Sequence, residues 1–462
     1  MIQSVQDFDN LFFIGVAGTG MSALAQYMAG IGKNVSGSDR YFKEGETNET
    51  RRLLEQEGIL CFAQDGTGIT PATQLVVVST AVEDTVPEVR KARELNIPIL
   101  RRSELLALIA DSRKTIAVGG TSGKSTTSGM IYCILEEAGL SPSIISGAGL
   151  VHIIRQGKIG NAAVGTGEWL IIEADESDGS IVQYHPEIGL LLNIDKDHQE
   201  LDELIRIFNQ FRTNTRKIFI SNQNHPIART VSSNPNLDFS ADEQHPAGLQ
   251  ARQFHQEGLR VQFNVNEQLF VLNTVGRHNM ENALAAIAVA VQLGVSLETC
   301  ARALAHYEGI YRRHQIIGNA NGTWLIDDYA HNPAKCAASI KACQPLAEKV
   351  IAWFQPHGYG PTRFLRSDFV QEIAAALRPQ DEIWMSEIFY AGGTAVKDIS
   401  AGDLINDLKA LGKNAFFVAD RNAFPNAIQS HRTGNDVLLL MGARDPSLET
   451  YATFVWNSIN SL

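Results

Sequence analysis

The residues of this chain best suited to chemistry sit in one stretch, Lys114 to Met130, reading KTIAVGGTSGKSTTSGM. Gly119, Gly120 and Gly123 lead into Lys124, Ser125, Thr126 and Thr127. Glycine lets backbone N–H groups approach phosphate oxygens closely, and a helix start adds free donors and a positive dipole end. A lysine here places a point charge on the terminal phosphates, and Ser125 or Thr126 offers a hydroxyl to Mg²⁺. Gly120, Thr121, Ser122, Gly123, Lys124, Ser125 and Thr126 are therefore the candidate cradle for a nucleoside triphosphate. The common spacing G-x-x-x-x-G-K-[ST] needs glycine where this chain has Val118, so the loop is one residue tighter. A glycine turn capped by Ser and Thr without any ligand is the alternative. Lys-Ser-Thr after glycine, at a strand-to-helix junction, favours phosphate.

Three further clusters follow downstream. The apolar run Trp169–Ile172 ends in Glu173-Ala174-Asp175-Glu176-Ser177-Asp178. Carboxylates at a strand end beyond a phosphate loop are where nucleotide-bound Mg²⁺ finds protein ligands, and Glu173 is the one expected to point into a cleft. A second apolar run, Ile188–Leu192, leads to Asn193-Ile194-Asp195-Lys196-Asp197-His198, which makes His198 a metal or phosphate contact. Gly276-Arg277-His278-Asn279-Met280-Glu281-Asn282 opens an alanine-rich helical stretch. Its first residues present side chains and free donors to a nucleotide, with Asn282 reaching an adenine edge; alternatively Asn279 simply caps the helix.

The N-terminal segment carries a related signature. Leu11–Ile14 is followed by Gly15, Gly18 and Gly20, a helical stretch from Met21 to Ala29, and Val35-Ser36-Gly37-Ser38-Asp39. This spacing opens a nucleotide-binding βαβ unit, with a turn over a diphosphate and an acidic residue about 20 residues on for a ribose hydroxyl. A tight strand–helix turn with a solvated Asp39 is the plainer alternative.

These residues need strands to hold them. Strand-like runs at 75–78 and 97–100 follow helical patterning at 46–58 and 86–95, and the helix 103–110 closes a small α/β domain. Asp111-Ser112-Arg113 is then a polar joint. Runs at 323–326, 350–354, 382–385 and 436–440, each with a polar end, describe another open α/β domain whose ligand crevice lies at the strands' carboxyl ends. The expected boundaries are 1–112, 113–315 and 316–462.

At 462 residues, with 44% hydrophobic and 19% charged residues, the composition is that of an ordinary globular protein. A net charge of −12 with no Lys/Arg run argues against nucleic-acid binding. Five cysteines form no C-x-x-C pair, which fits a reducing compartment. The polar N-terminus is no signal peptide, and no apolar run is long enough for a bilayer, so the expectation is a cytoplasmic protein without membrane insertion.

Taken in order, the motifs resemble the Mur ligase family, the ATP-dependent amide-forming enzymes of peptidoglycan precursor synthesis. The residues carrying the resemblance are Gly15-Val-Ala-Gly-Thr-Gly-Met21, Val35-Ser-Gly-Ser-Asp39, Leu100-Arg-Arg-Ser-Glu104, Gly120-Thr-Ser-Gly-Lys-Ser-Thr-Thr127, Glu173-Ala-Asp-Glu-Ser-Asp178, Gly276-Arg-His-Asn279 and Phe354-Gln-Pro-His357. The resemblance implies three α/β domains. They are an N-terminal Rossmann-like domain for a UDP sugar, a central P-loop-type domain for ATP, and a C-terminal Rossmann-like domain for the amino acid. It implies UDP-N-acetylmuramate, L-alanine and ATP with Mg²⁺ as small-molecule partners, and a monomer or homodimer. Gly15, Ala17, Gly18, Thr19, Gly20, Met21, Ser38 and Asp39 would hold the UDP sugar. Lys124, with Mg²⁺ on Ser125, Glu173 and His198, and with Arg313, would offset the repulsion between two anions. His278, Asn282, Arg313 and Asp328 would touch the nucleotide and His331 the incoming amine, in a site that closes to exclude water.

The chain departs from the family pattern in several places. Ser122 stands where histidine is usual and Ser125 where threonine is. Tyr329-Ala-His-Asn-Pro333 replaces Tyr-Gly-His-His-Pro, and Gln64-Asp65-Gly66 falls where Gly-His is usual. After His357, Gly358 and Pro361 replace two arginines and only Arg363 of that set remains; Gly442-Ala443-Arg444-Asp445 replaces a glycine-rich turn, with Arg444 restoring positive charge. No lysine after His198 is expected to be modified. The nucleotide-handling residues are thus retained while the acceptor's identity is open: L-alanine, a peptide joined to UDP-N-acetylmuramate as in murein recycling, or another carboxylate. A nucleotide-binding sensor without ligase activity fits least, because it has no need of a phosphate clamp.

Overall fold

The computed structural model describes residues 2–43, 45–80, 82–177, 179–195, 200–390, 392 and 396–460. His198, together with Asp178, Lys196 and Asp197, lies outside the described residues. Two compact units emerge: Met1–Phe254 with Gln262–Leu272 and Met280–Ile310, and His255–Val261 with Asn273–Asn279 and Tyr311–Leu462.

The first unit is built on two parallel sheets. The N-terminal one comprises β1 (Asn10–Ile14), β2 (Asn34–Asp39), β3 (Leu60–Ala63), β4 (Leu75–Val78) and β5 (Ile99–Arg101) in the order β3-β2-β1-β4-β5. Phe12, Phe13 and Ile14 are fully buried, as a central parallel strand covered on both faces requires. Strand order reverses across β1 and β4, which places the Gly15–Gly20 turn at the crevice where such sheets bind ligands.

The second sheet comprises β6 (Lys114–Gly119), β7 (Ser143–Ile145), β8 (Ala162–Ala163), β9 (Trp169–Ala174), β10 (Ile188–Leu191) and β11 (Ile218–Ser221), in the order β11-β10-β6-β9-β7-β8. Only β8 runs antiparallel to its neighbour. Gly119 pairs in register with Ala174 on one side and Leu191 on the other. The loop after β6 therefore emerges between Glu173 and Asn193. An apolar core runs continuously under both sheets, from Val5 to Val231. A buried amide network adds a brace: Asn161 Nδ2 donates to Thr19 O (2.8 Å) and Ser22 Oγ (2.9 Å), and Gln26 Nε2 donates to Asn161 Oδ1 (2.7 Å).

A four-stranded sheet at β12 (Phe239–Ser240), β13 (Leu249–Glu257), β14 (Arg260–Val265) and β15 (Gln268–Leu272) has no counterpart in the sequence expectations. Its strands are half-exposed and polar on alternate positions, so they lack the apolar runs that mark the buried strands.

The second unit holds a six-stranded sheet: β16 (Gln315–Ala320), β17 (Thr323–Asp328), β18 (Lys349–Gln355), β19 (Glu382–Met385), β20 (Asn414–Phe417) and β21 (Asp436–Gly442), ordered β16-β17-β21-β18-β19-β20. The four expected strands form its middle. The two edge strands are the additions: β16, antiparallel and bulged between Ile316 and Gly318, and the short β20. Separate apolar clusters cover the sheet's two faces.

Candidate functional site

The central loop is a strand-to-helix turn whose donors point away from its own fold. Gly120 and Gly123 adopt φ of +140° and +85°. A Cβ at Gly123 would also stand 2.4 Å from Asn282 Oδ1, so only glycine fits. The helix Lys124–Glu137 starts without a side-chain cap, and its first backbone acceptor inside the turn is Gly123 O, taken by Thr127 N at 2.9 Å. The amides of Lys124, Ser125 and Thr126 have no acceptor among the described residues, which is the donor set an anion needs.

Asn193, at the end of β10, fixes the turn. Its Oδ1 accepts from Ser122 N (2.8 Å) and Thr121 Oγ1 (3.0 Å), and its Nδ2 donates to Ser122 O (3.1 Å). Thr121 Oγ1 accepts in turn from Asp195 N (3.0 Å). Ser122 thus contributes its backbone to the clamp.

Lys124 Nζ donates to Gly120 O and to Glu176 Oε2, both at 2.6 Å, within a shell where neither charged side chain is well exposed. Burial disfavours the ammonium, but Glu176, Asp175 and Glu173 outweigh it and raise its pKa. Ser125 Oγ donates to Glu173 Oε2 (3.0 Å), and Glu173 Oε1 accepts from Ser146 Oγ (2.7 Å) and Gly147 N (2.6 Å). A hydroxyl and a braced carboxylate thus stand side by side at the loop, a hard-oxygen pair suited to Mg²⁺. Asn282, expected at adenine, packs against this loop, its Oδ1 accepting from Thr127 Oγ1 at 3.3 Å.

The N-terminal turn has the same topology and different chemistry. Gly15 N and Val16 N donate to Ser38 O (2.7 and 3.0 Å), and Gly18 N to Gly15 O (3.1 Å). Asp39 accepts from Ala17 N (3.0 Å) and Tyr41 N (3.0 Å), so this carboxylate braces the turn. The amides left without an acceptor among the described residues are those of Thr19 and Gly20. The side chains of Met21 and Ser38 are buried in the fold, so a ligand here meets backbone. Arg102 lies over Gly20, where a Cβ would come within 3.1 Å of its Cδ, and its charge also helps hold Asp175 ionised.

In the second unit, His278, Arg313, Asp328 and His331 gather around the end of β17. Asp328 Oδ1 accepts from His314 N (3.1 Å), and the His278 and His314 rings lie 5.1 Å apart. Burial opposes charge on Asp328, but His314, Arg313 and the Ser339 hydroxyl outweigh it and hold its pKa below the usual range. Desolvation, with His314 nearby, lowers His278 to about 3. Arg313 stacks on the Tyr329 ring at 4.5 Å. His331 Nδ1 sits 2.9 Å from Tyr329 O, which only accepts, so Nδ1 carries the proton and Nε2 keeps a lone pair. Burial lowers His331 to about 4, so it is neutral near pH 7, and a hydrogen-bond acceptor there more than a strong base. Its ring lies 5.8 Å from that of His357, which follows β18.

Several contributors carried no assigned role in the sequence expectations: Asn193, Glu176 and Arg102. All three stand inside the sequence motifs given above, and what singles them out is register across strands, which no linear spacing encodes. Asn193 had the clearest signal, a lone amide directly after a buried parallel strand.

A phosphate loop between two strand ends, with a hydroxyl–carboxylate pair beside it, defines an α/β protein that handles phosphate esters. Comparison with known proteins narrows that class. Residues 10–114 match the family model described as Mur ligase family, catalytic domain; residues 118–290 match the Mur ligase middle domain; residues 312–444 match the Mur ligase, glutamate ligase domain. The UDP-N-acetylmuramate–L-alanine ligase of a Synechococcus species is 33% identical over 460 residues, covering 94% of this chain and 93% of the relative. That of Acidithiobacillus ferrooxidans is 33% identical over 456 residues, covering 94% of each. Among solved structures, the UDP-N-acetylmuramate–alanine ligase of Thermotoga maritima aligns with a TM-score of 0.79 at 25% identity, over 98% of this chain and all of that one. The murein peptide ligase of Psychrobacter arcticus shares the fold, with a TM-score of 0.68 at 21% identity over 98% and 99% of the chains. The chain belongs to the Mur ligase family.

Proposed function

We propose that this chain joins L-alanine to the lactyl carboxylate of UDP-N-acetylmuramate at the expense of ATP, in cytoplasmic peptidoglycan precursor synthesis. A carboxylate oxygen attacks the γ-phosphorus and ADP leaves, giving an acyl phosphate. The amine nitrogen then attacks the acyl carbon, the C–O bond to phosphate breaks, and inorganic phosphate and a proton are released. The observation that carries this reading is the central loop, where open amides, Lys124 and the Ser125–Glu173 pair converge beside one strand end. The whole-length similarity to relatives bearing that activity in their names supports the choice of substrates.

In this reading the amides of Lys124, Ser125 and Thr126 cradle the β- and γ-phosphates, and Lys124 leaves Glu176 to follow the charge as it moves to the leaving ADP. Ser125 and Glu173, with His198, would hold Mg²⁺, which when bound neutralises phosphate charge. Gly15–Gly20 and Asp39 form the UDP-sugar turn, with Arg102 supplying its positive charge. His278, Asn282 and Asp328 belong to nucleotide binding, Arg313 to the transferred phosphoryl group, and His331 Nε2 accepts a hydrogen bond from the incoming amine.

A second reading has a specific observation behind it. Gly358 and Pro361 carry no side-chain donors, and Arg363, the arginine remaining there, is paired with Asp398 and donates to Val396 O. That arrangement suits an acceptor other than a free amino acid, such as a peptide. Phosphate release from ATP with UDP-N-acetylmuramate, scanned over amino acids and short peptides, separates the two. L-alanine is expected to stimulate release most, and a larger response to a tripeptide would establish the second reading instead.

A further inference from the structure

We infer that Arg444 binds the α-carboxylate of the incoming amino acid, and so selects a free amino acid over a peptide or a simple amine; this rests on the ligase reading above. The placement comes from strand register. In the second unit β21 lies between β17 and β18, with Met441 opposite Asp328 and Gly442 opposite Gln355. Three loops therefore leave the carboxyl edge side by side: one carrying His331 after β17, one carrying His357 after β18, and between them Ala443-Arg444-Asp445 after β21. The two histidine rings come within 5.8 Å, so the flanking loops approach one another at this edge.

The middle loop is rigid at its base. Asp445 is buried, and its Oδ2 accepts from Arg421 Nη1 at 2.6 Å. Its Oδ1 accepts from Ser447 N at 3.0 Å, and its own N–H returns to Ala443 O at 2.8 Å. Arg444 stands on this turn with φ of +61°, a left-handed conformation that a non-glycine residue adopts at a cost. A long cationic side chain is thus held, against backbone preference, where a glycine would sit without strain.

Other cationic side chains of this edge are engaged. Arg312 pairs with Asp327 and donates to Gly442 O, Arg421 pairs with Asp445 and donates to Gln355, and Arg363 pairs with Asp398. Arg313 and Lys397 lie over tyrosine rings. Among the described residues the exposed Arg444 side chain has no hydrogen bond or ion pair. A guanidinium exposed to solvent, on a loop flanked by those that carry His331 and His357, suits a carboxylate held by two parallel hydrogen bonds, with the amine of the same molecule toward His331 Nε2. A peptide whose first carboxyl is already an amide offers no such anion.

Arg444→Gly tests this, since glycine relieves the strained φ and keeps the fold. With ATP and UDP-N-acetylmuramate saturating, the variant should show a KM for L-alanine raised about 10- to 100-fold, with the KM values of the other two substrates unchanged. Arg444→Lys should fall between. Wild type should discriminate against L-alaninamide by a similar factor, and Arg444→Gly should not. Hydroxylamine supplies an acceptor without a carboxylate: hydroxamate formation from UDP-N-acetylmuramate and ATP should be equal in wild type and variant. An unchanged KM for L-alanine in the variant, with hydroxamate still formed, overturns the role of Arg444 and leaves the ligase reading standing. No hydroxamate from wild type overturns the ligase reading itself, and this inference with it.

Discussion

Two glycine-rich turns lead from strand to helix in the first unit, and each has an acidic side chain folded into it. In the N-terminal turn Asp39 accepts from two backbone amides and becomes part of the scaffold. In the central turn Glu176 accepts from Lys124, the side chain that a triphosphate would claim. The first acid builds the loop, while the second occupies it. Equivalent topology therefore predicts opposite responses to the same kind of substitution, and the charge of the expected ligand explains the difference. A turn that offers neutral amides tolerates a permanent internal carboxylate, whereas a loop that must grip a triphosphate keeps its lysine on a partner it can exchange.

The largest expected effect separates the loops outright. Lys124→Ala should lower kcat at least about a thousandfold, since it removes charge aimed at the transferred phosphoryl group. Binding of UDP-N-acetylmuramate, measured by calorimetry, should be unchanged, because the N-terminal turn has its own donors. Loss of sugar-nucleotide affinity in this variant would mean that the two loops do not divide the substrates. Glu173→Gln comes next. It keeps the size of the side chain and its acceptor toward Ser146 or Gly147 but halves the oxygen set beside Ser125. The Mg²⁺ concentration for half-maximal activity should rise about a hundredfold, read from a metal titration of ADP formation.

Much of this comparison was legible in the chain. Lys124, Ser125 and Glu173 announce themselves by following apolar runs that can only be buried strands, and Gly15, Gly18, Gly20 and Asp39 by their spacing. What stayed hidden depends on which strands become neighbours. Asn193 braces Ser122 across 71 positions, and Lys124 meets Glu176 across 52. Asp39, expected on a ribose hydroxyl, also accepts from two backbone amides, a bracing role that its spacing does not encode. The β12–β15 sheet went unread for a different reason: its half-exposed strands alternate apolar with polar residues and lack the continuous apolar runs by which the other strands were read, although Gly258 and Asn266 mark its turns.

Asp39→Asn probes the scaffold role. One of the two amides, Ala17 N or Tyr41 N, would then face an NH₂ group in place of an oxygen, leaving a poorly satisfied buried donor at a cost of about 1–2 kcal/mol. The KM for the UDP sugar should rise about tenfold while that for ATP is unchanged. An equal rise in both would show that Asp39 stabilises the whole unit and has no local bracing function.

Glu176→Gln is the smallest effect and the sharpest test, because it should move affinity the other way. Glutamine can still accept from Lys124, but the ion pair is gone and Asp175 becomes the nearest anion. Without ligand, the lysine charge is then less well compensated in a buried setting, so the free protein should lose about 1–2 kcal/mol of stability. Lys124 has a raised pKa in the fold, so on the alkaline side this stabilisation fades as pH climbs through the folded lysine value; on the acid side burial raises the pKa of Glu176, and the pair is lost as that carboxylate protonates. The difference in unfolding free energy between wild type and variant should accordingly be flat from pH 7 to 9. With ATP added, the order reverses, since the triphosphate no longer has to draw Lys124 from a carboxylate. A non-hydrolysable ATP analogue should bind a few-fold more tightly, and the thermal shift it produces should exceed that of wild type. Weaker analogue binding would instead place Glu176 among the residues that build the central loop, as Asp39 builds the N-terminal one, and the contrast between the two turns would disappear.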